Sequence, residues 1–204
     1  MNMQCRGAKG RRKLRGFSML EVLVSVLILS VGILGVVGLQ AAALKANREA
    51  LNQSSASRYG SEIIEMMKGN PSVAAQTTAA NNPYLISYRA AVDDLDTLAA
   101  QSANCFNADC YTASDDAARQ AIAQWQVRDW LYRLNHEIPG TRVEICFDES
   151  PYSNTGMPEW DCSNSGSVVV VKMGWTRRTL NSAADTAQAF DQASTPAVVL
   201  PAAL

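Results

Sequence analysis

Glu21 is the residue whose position most demands a chemical explanation. It is the only charged side chain in the 23-residue run FSMLEVLVSVLILSVGILGVVGL, Phe17 to Leu39. A carboxylate held in lipid costs about 2.5–3.5 kcal/mol on insertion scales, so it calls for a cationic partner. Other candidates for chemistry are thin. The single histidine, His136, falls near the end of a predicted helix, with no Cys/His, Ser/His/Asp or H-E-x-x-H arrangement around it in sequence. There it reads as a surface residue compatible with the helix dipole. Asp93, Asp94 and Asp96 form one acidic cluster and Asp115 with Asp116 another, but neither has EF-hand spacing or its glycine, so they read as solvated faces or a helix start. Arg177 and Arg178 follow a predicted strand and can meet a partner's acid or remain solvated edge charges. Trp125, Trp130, Trp160 and Trp175 read as core or interface residues, with Trp160 the best interface candidate. These patterns yield no catalytic residue, no cofactor motif and no metal site; the expectation is a protein that is not an enzyme.

The element that must position Glu21 is membrane-length. A helix over the apolar run spans roughly 35 Å against a hydrocarbon core of about 30 Å. The charge around it is segregated. Of 204 residues, 18 are basic and 19 acidic, a net charge of −1, but residues 1–16 carry Arg6, Lys9, Arg11, Arg12, Lys13 and Arg15 and no acid. That leaves 12 basic against 19 acidic residues, or −7, for the remainder. Six positive charges before the run, with only Lys45 and Arg48 soon after it, predict a cytoplasmic N-terminus and an exported body. The overall balance gives no reason to expect nucleic-acid binding. With 48% hydrophobic and 18% charged residues, the chain is globular rather than disordered.

A secretory signal peptide could use Ala41-Ala42-Ala43 as its cleavage site, but the apolar run exceeds the usual stretch of about 7–15 residues. A permanent anchor fits the length and leaves Glu21 unexplained. After Leu39 the sequence stays rich in helix formers, with Leu44, Leu51, Tyr59, Ile63 and Met66 within about half of the helical circumference. Gly69, Asn70 and Pro71 end the pattern through left-handed cap geometry and a proline stop. A helix over residues 17–68 is therefore expected, roughly 78 Å long. Gly32, Gly35 and Gly38 lie within it at three-residue spacing, marking either a softened stretch or close packing against a partner helix.

The residues Arg15-Gly16-Phe17-Ser18-Met19-Leu20-Glu21-Val22 resemble the class III signal of type IV prepilins. That resemblance implies cleavage by a prepilin peptidase after Gly16, N-methylation of the new terminus Phe17, and pairing of Glu21 with the terminal ammonium of a neighbouring subunit. The leader, residues 1–16, is then discarded. The stretches Ser30 to Gln40 and Met66 to Pro71, with Gln124-Trp125, Leu134, Pro139-Gly140 and a strand ending near Trp175, resemble the minor-pilin family of type IV pilus modification proteins, PilV. This implies a tip complex that primes pilus assembly, with other minor pilins, the major pilin and a tip adhesin as partners, and with adhesion and twitching motility downstream. It also implies an inner-membrane protein with a periplasmic head, later carried to the cell-surface pilus. Pseudopilins of type II secretion open similarly and are the alternative; a membrane-anchored periplasmic binding or enzymatic domain is a third class.

Residues 69–204 are the expected head. A short strand is predicted over Tyr84 to Tyr88, a helical turn or loop around Asp93 to Gln101, a helix over Asp115 to Ile138, and strands over Arg142 to Phe147 and Ser167 to Thr176. The last 25 residues fit an edge strand or a loose tail. The fold class is α+β, with the long helix packed on a small antiparallel sheet beside a second helix. If Cys5 leaves with the leader, Cys105, Cys110, Cys146 and Cys162 remain, an even count that reads as two disulfides in an oxidising compartment. Three connectivities are open; Cys105 with Cys110 and Cys146 with Cys162 each close a local loop. A four-thiolate zinc site is the competing reading, though the spacing lacks compact C-x2-C pairs. The pilin resemblance further implies that Cys146 and Cys162 bound a variable surface region.

Overall fold

A computed structural model describes residues 18–90, 116–178, 190–192 and 194–203. The chain divides into two compact units, Met1–Arg48 and Glu49–Leu204. Helix α1 (Met19–Gly69) contributes to both. Within the first unit the described residues after Ser18 form helix alone, and all of the described residues are exposed. The helix is long and apolar enough to cross a membrane.

The second unit joins the C-terminal part of α1, a short helix α2 (Pro71–Ala74) and helix α3 (Asp116–Glu137) to an antiparallel sheet. The strands are β1 (Ser87–Arg89), β2 (Thr141–Phe147), β3 (Val169–Arg178), β4 (Phe190–Gln192) and β5 (Val198–Ala202). β2 pairs β1 and β3, and β3 also pairs β5 over Val169 to Met173 and β4 over its last three residues. The α+β class and antiparallel sheet agree with the sequence reading. Val143, Ile145 and Phe147 alternate onto one face as expected, where they join Val171, Met173 and Trp175 in a core shared with both helices. Tyr59, Ile63 and Met67 enter it from α1, and Val127, Trp130 and Leu134 from α3. The Trp130 indole N–H donates to the Tyr59 carbonyl at 2.9 Å, which ties α3 to the C-terminal part of α1.

Several expectations are corrected. Leu44 in the first unit and Leu51 in the second are exposed, and Met67 rather than Met66 is the fully buried methionine of α1. The buried seam of the second unit is Ala56, Tyr59, Gly60, Ile63 and Met67, with Leu200 of β5 filling the space above Gly60. The end of α1 uses no left-handed cap: Asn70 has φ −136° and ψ 60°, because the residue before a proline is pushed out of the helical region and Pro71 opens α2. The Asn70 side-chain amide instead donates to the Arg119 carbonyl at 2.9 Å. The first strand starts at Ser87, since the Tyr84 N–H turns back to Asn82 Oδ1 and the Tyr84 ring is buried. β3 runs two residues beyond Thr176, where β4 supplies its partner. Of the last 25 residues, Val198–Ala202 is indeed an edge strand. The expected turn around Asp93 to Gln101 lies outside the described residues.

Candidate assembly site

Ser18 starts α1. Its carbonyl accepts the N–H groups of Glu21 at 3.0 Å and Val22 at 3.2 Å, and its Oγ accepts that of Leu20 at 3.3 Å. Glu21 therefore stands in the first turn, where a negative charge faces the positive end of the helix dipole. The hydroxyls nearby are satisfied internally: Ser25 donates to the Glu21 carbonyl at 2.6 Å and Ser30 to the Leu27 carbonyl at 2.8 Å. The helix can thus enter lipid with its backbone and hydroxyls paired. The one carboxylate of the apolar run, Glu21, is exposed among uncovered side chains such as Leu20 and Leu23. A Cβ on Gly32, Gly35 or Gly38 would meet nothing within 4 Å, so no contact with the described residues demands glycine there. Gly16 and Phe17, the expected cleavage and methylation residues, lie outside the described residues.

Among the described residues of the second unit, several charged groups fasten elements to one another. Glu137 at the end of α3 accepts from Ser55 Oγ at 2.6 Å, Arg58 Nη2 at 2.8 Å and Tyr59 Oη at 2.9 Å. The bonds from Ser55 and Tyr59 chiefly hold its carboxyl below the usual range, against a smaller opposing effect of burial and with help from Arg58. Burial and that same carboxylate push the Tyr59 phenol up. Arg133 is forked between Glu62 at 2.6 Å and Asp129 at 2.8 Å; the Glu62 bond above all raises its already high pKa.

The other nominated residues disperse. His136 is exposed, with its ring edge-on to Tyr132 at 4.4 Å between centroids. Asp116 pairs with Arg119 at 2.9 Å. Arg177 meets Glu49 at 2.6 Å and lies over the Trp175 ring, so the expected acid partner is within the chain. Trp130 and Trp175 are core residues. Trp160 is not the expected exposed interface residue: it is 7% exposed and lies beneath the Arg142 guanidinium, 4.1 Å from ring centroid to cation. Asp93, Asp94, Asp96, Asp115, Cys105 and Cys110 lie outside the described residues. Cys146 and Cys162 are disulfide-bonded, with Cα atoms 6.3 Å apart. Their sulfurs sit within 4.8 Å of an Asp148 carboxylate oxygen, but bonded sulfurs offer no thiolate to a metal and Asp148 is engaged by Lys172.

Sequence reasoning missed that last contact. Lys172 and Asp148 form an ion pair at 2.6 Å with side chains 0% and 1% exposed. The signal was present in SVVVVKMGWT, because an unbroken apolar run marks a strand covered on both faces, and a lysine within it must then be paired.

The sequence that opens α1 matches a known family model. Residues 11–37 match the family described as the prokaryotic N-terminal methylation motif. The chain carries a methylation-type prepilin signal. The match takes in the last basic residues of the leader, Gly16, Phe17, Glu21 and most of the apolar helix, and it supports a pilin or pseudopilin precursor processed by a prepilin peptidase. No curated protein and no solved structure matches the chain.

Proposed function

We propose that this chain is a minor pilin of a type IV pilus, of the kind represented by the type IV pilus modification protein PilV. The observation that carries the reading is the methylation motif over an exposed apolar run whose single carboxylate, Glu21, has no cation beside it in the first unit's described residues. A prepilin peptidase cuts after Gly16 and Phe17 is N-methylated. The six-cation leader orients insertion in the inner membrane, with the body from residue 69 onward in the periplasm. On assembly, Glu21 faces the terminal ammonium of a neighbouring subunit, and Gly32, Gly35 and Gly38 admit a partner helix or soften the helix that carries them. In the filament the chain joins other minor pilins, the major pilin and a tip adhesin, priming assembly and supporting adhesion and twitching motility.

The mature N-terminus tests the first step: mass spectrometry of assembled material should find methylated Phe17, and intact Met1 or a terminus at Leu44 defeats the reading. Glu21→Ala should leave the head folded, by circular dichroism, while sharply reducing recovery of the protein in sheared pili; normal incorporation counts against the pairing. In a deletion strain, lost piliation with intact protein secretion supports the pilus, and the reverse assigns a type II secretion pseudopilin.

A further inference from the structure

The sheet face turned away from the helices is covered by the segment between β2 and β3. Alternation directs Val170 and Lys172 to that face, and both are buried, at 1% and 0% exposure. The Lys172 ammonium meets Asp148 Oδ2 at 2.6 Å and donates to the Asp161 carbonyl at 2.7 Å. Asp148 Oδ1 accepts the N–H groups of Ser150 at 3.0 Å and Ser163 at 3.3 Å. Asp148 stands two residues after Cys146, and Asp161 and Ser163 flank Cys162. A single buried ion pair therefore grips the neighbours of both cysteines.

The two cysteines differ in what else fixes them. Cys146 is held by the β2–β3 ladder, opposite Val170. Cys162 belongs to no strand, and the contacts of Asp161 and Ser163 with the ion pair are what bring its backbone over the sheet. We infer that Lys172 and Asp148 are positioning residues that select Cys146 and Cys162 as partners during oxidative folding, ahead of pairings with Cys105 or Cys110. Closing a segment whose ends are 16 residues apart costs chain entropy, and an ion pair formed first bears that cost before any sulfur reacts. The oxidant is an external disulfide. One cysteine thiolate attacks it and releases one thiol; the second attacks the mixed disulfide and releases the other. Two electrons and two protons pass from the cysteines to the two released thiols. Lys172 and Asp148 exchange nothing in these steps.

The test uses the full-length protein in detergent, reduced, denatured, and refolded in a buffer of oxidised and reduced glutathione. Thiols are quenched over time and pairings mapped by peptide mass spectrometry. Wild type should regain Cys146–Cys162 as its dominant pair. Lys172→Met and Asp148→Asn should each shift the early ratio of that pair to pairs with Cys105 or Cys110 by about tenfold or more. Asp148→Asn/Lys172→Met leaves no uncompensated buried charge, so it reports on selection even where a single variant fails to fold; it too should mispair. Val171→Ala, which removes packing on the opposite face, should lower stability and leave the ratio unchanged. Wild-type selectivity in the double variant, or an equal shift in Val171→Ala, overturns the inference.

Discussion

Asp148 gives the head an acid-sensitive point. Burial alone would raise its carboxyl pKa, but the bond from Lys172, the N–H groups of Ser150 and Ser163 and the lysine's charge outweigh it and hold the group below the ordinary range. A depressed folded pKa stabilises the fold above the unfolded value of about 3.9, and that stability is lost as pH falls through the folded pKa. Urea unfolding at a series of pH values should therefore show stability declining on acidification, with a shallower decline in Asp148→Asn. Gly140 provides a second residue-scale prediction. It has φ +74°, and an added Cβ would lie 2.9 Å from Thr176 Cβ. Gly140→Ala should cost about 1–2 kcal/mol from the left-handed conformation alone, read as a lower melting temperature. Pro139-Gly140 was legible as a helix stop because its backbone demands are local. The surroundings of Trp160 were not: its cover, Arg142, is 18 positions away, and only the folding back of the segment between β2 and β3 brings the two together.

At the scale of elements, the α1–α3 seam carries much of the head's packing. Trp130 is fully buried, edge-on to Tyr59 with ring centroids 6.3 Å apart. Trp130→Ala should cost about 3–5 kcal/mol in chemical denaturation. Leu51→Ala should change stability by no more than about 0.5 kcal/mol, because Leu51 is 67% exposed. The contrast measures where hydrophobicity misleads. Helical spacing identified α1 and α3 and placed Val127, Trp130 and Leu134 on one buried face, since a 3.6-residue period is written in the sequence itself. On α1 it found Tyr59 and Ile63 but missed Gly60, which Leu200 of β5 approaches closely, and wrongly included Leu51, which stays outside the seam. The strand pattern of β2 was readable from alternation, whereas the pairing of β3 with both β4 and β5 is a long-range choice that no local pattern encodes.

At the scale of the whole molecule, the apolar run and the core belong to different units. The first unit's described residues contribute none of the buried hydrophobic cluster, which begins at Ala56. A chain expressed from Glu49 onward should remain in the aqueous phase of a detergent partition and retain the Cys146–Cys162 bond, while the full chain enters the detergent phase. The apolar run and the basic stretch before it were the most legible features of all, because length and charge order suffice to define them. The burial of Lys172 also changes how the protein can be marked. Lys45 and Lys68 offer exposed amines on α1, whereas the Lys172 amine is sealed beneath the disulfide-bounded segment. Acylating dyes and cross-linkers applied to native protein will therefore decorate the helix and leave this part of the sheet unlabelled, and tryptic cleavage after Lys172 will wait until the head has unfolded.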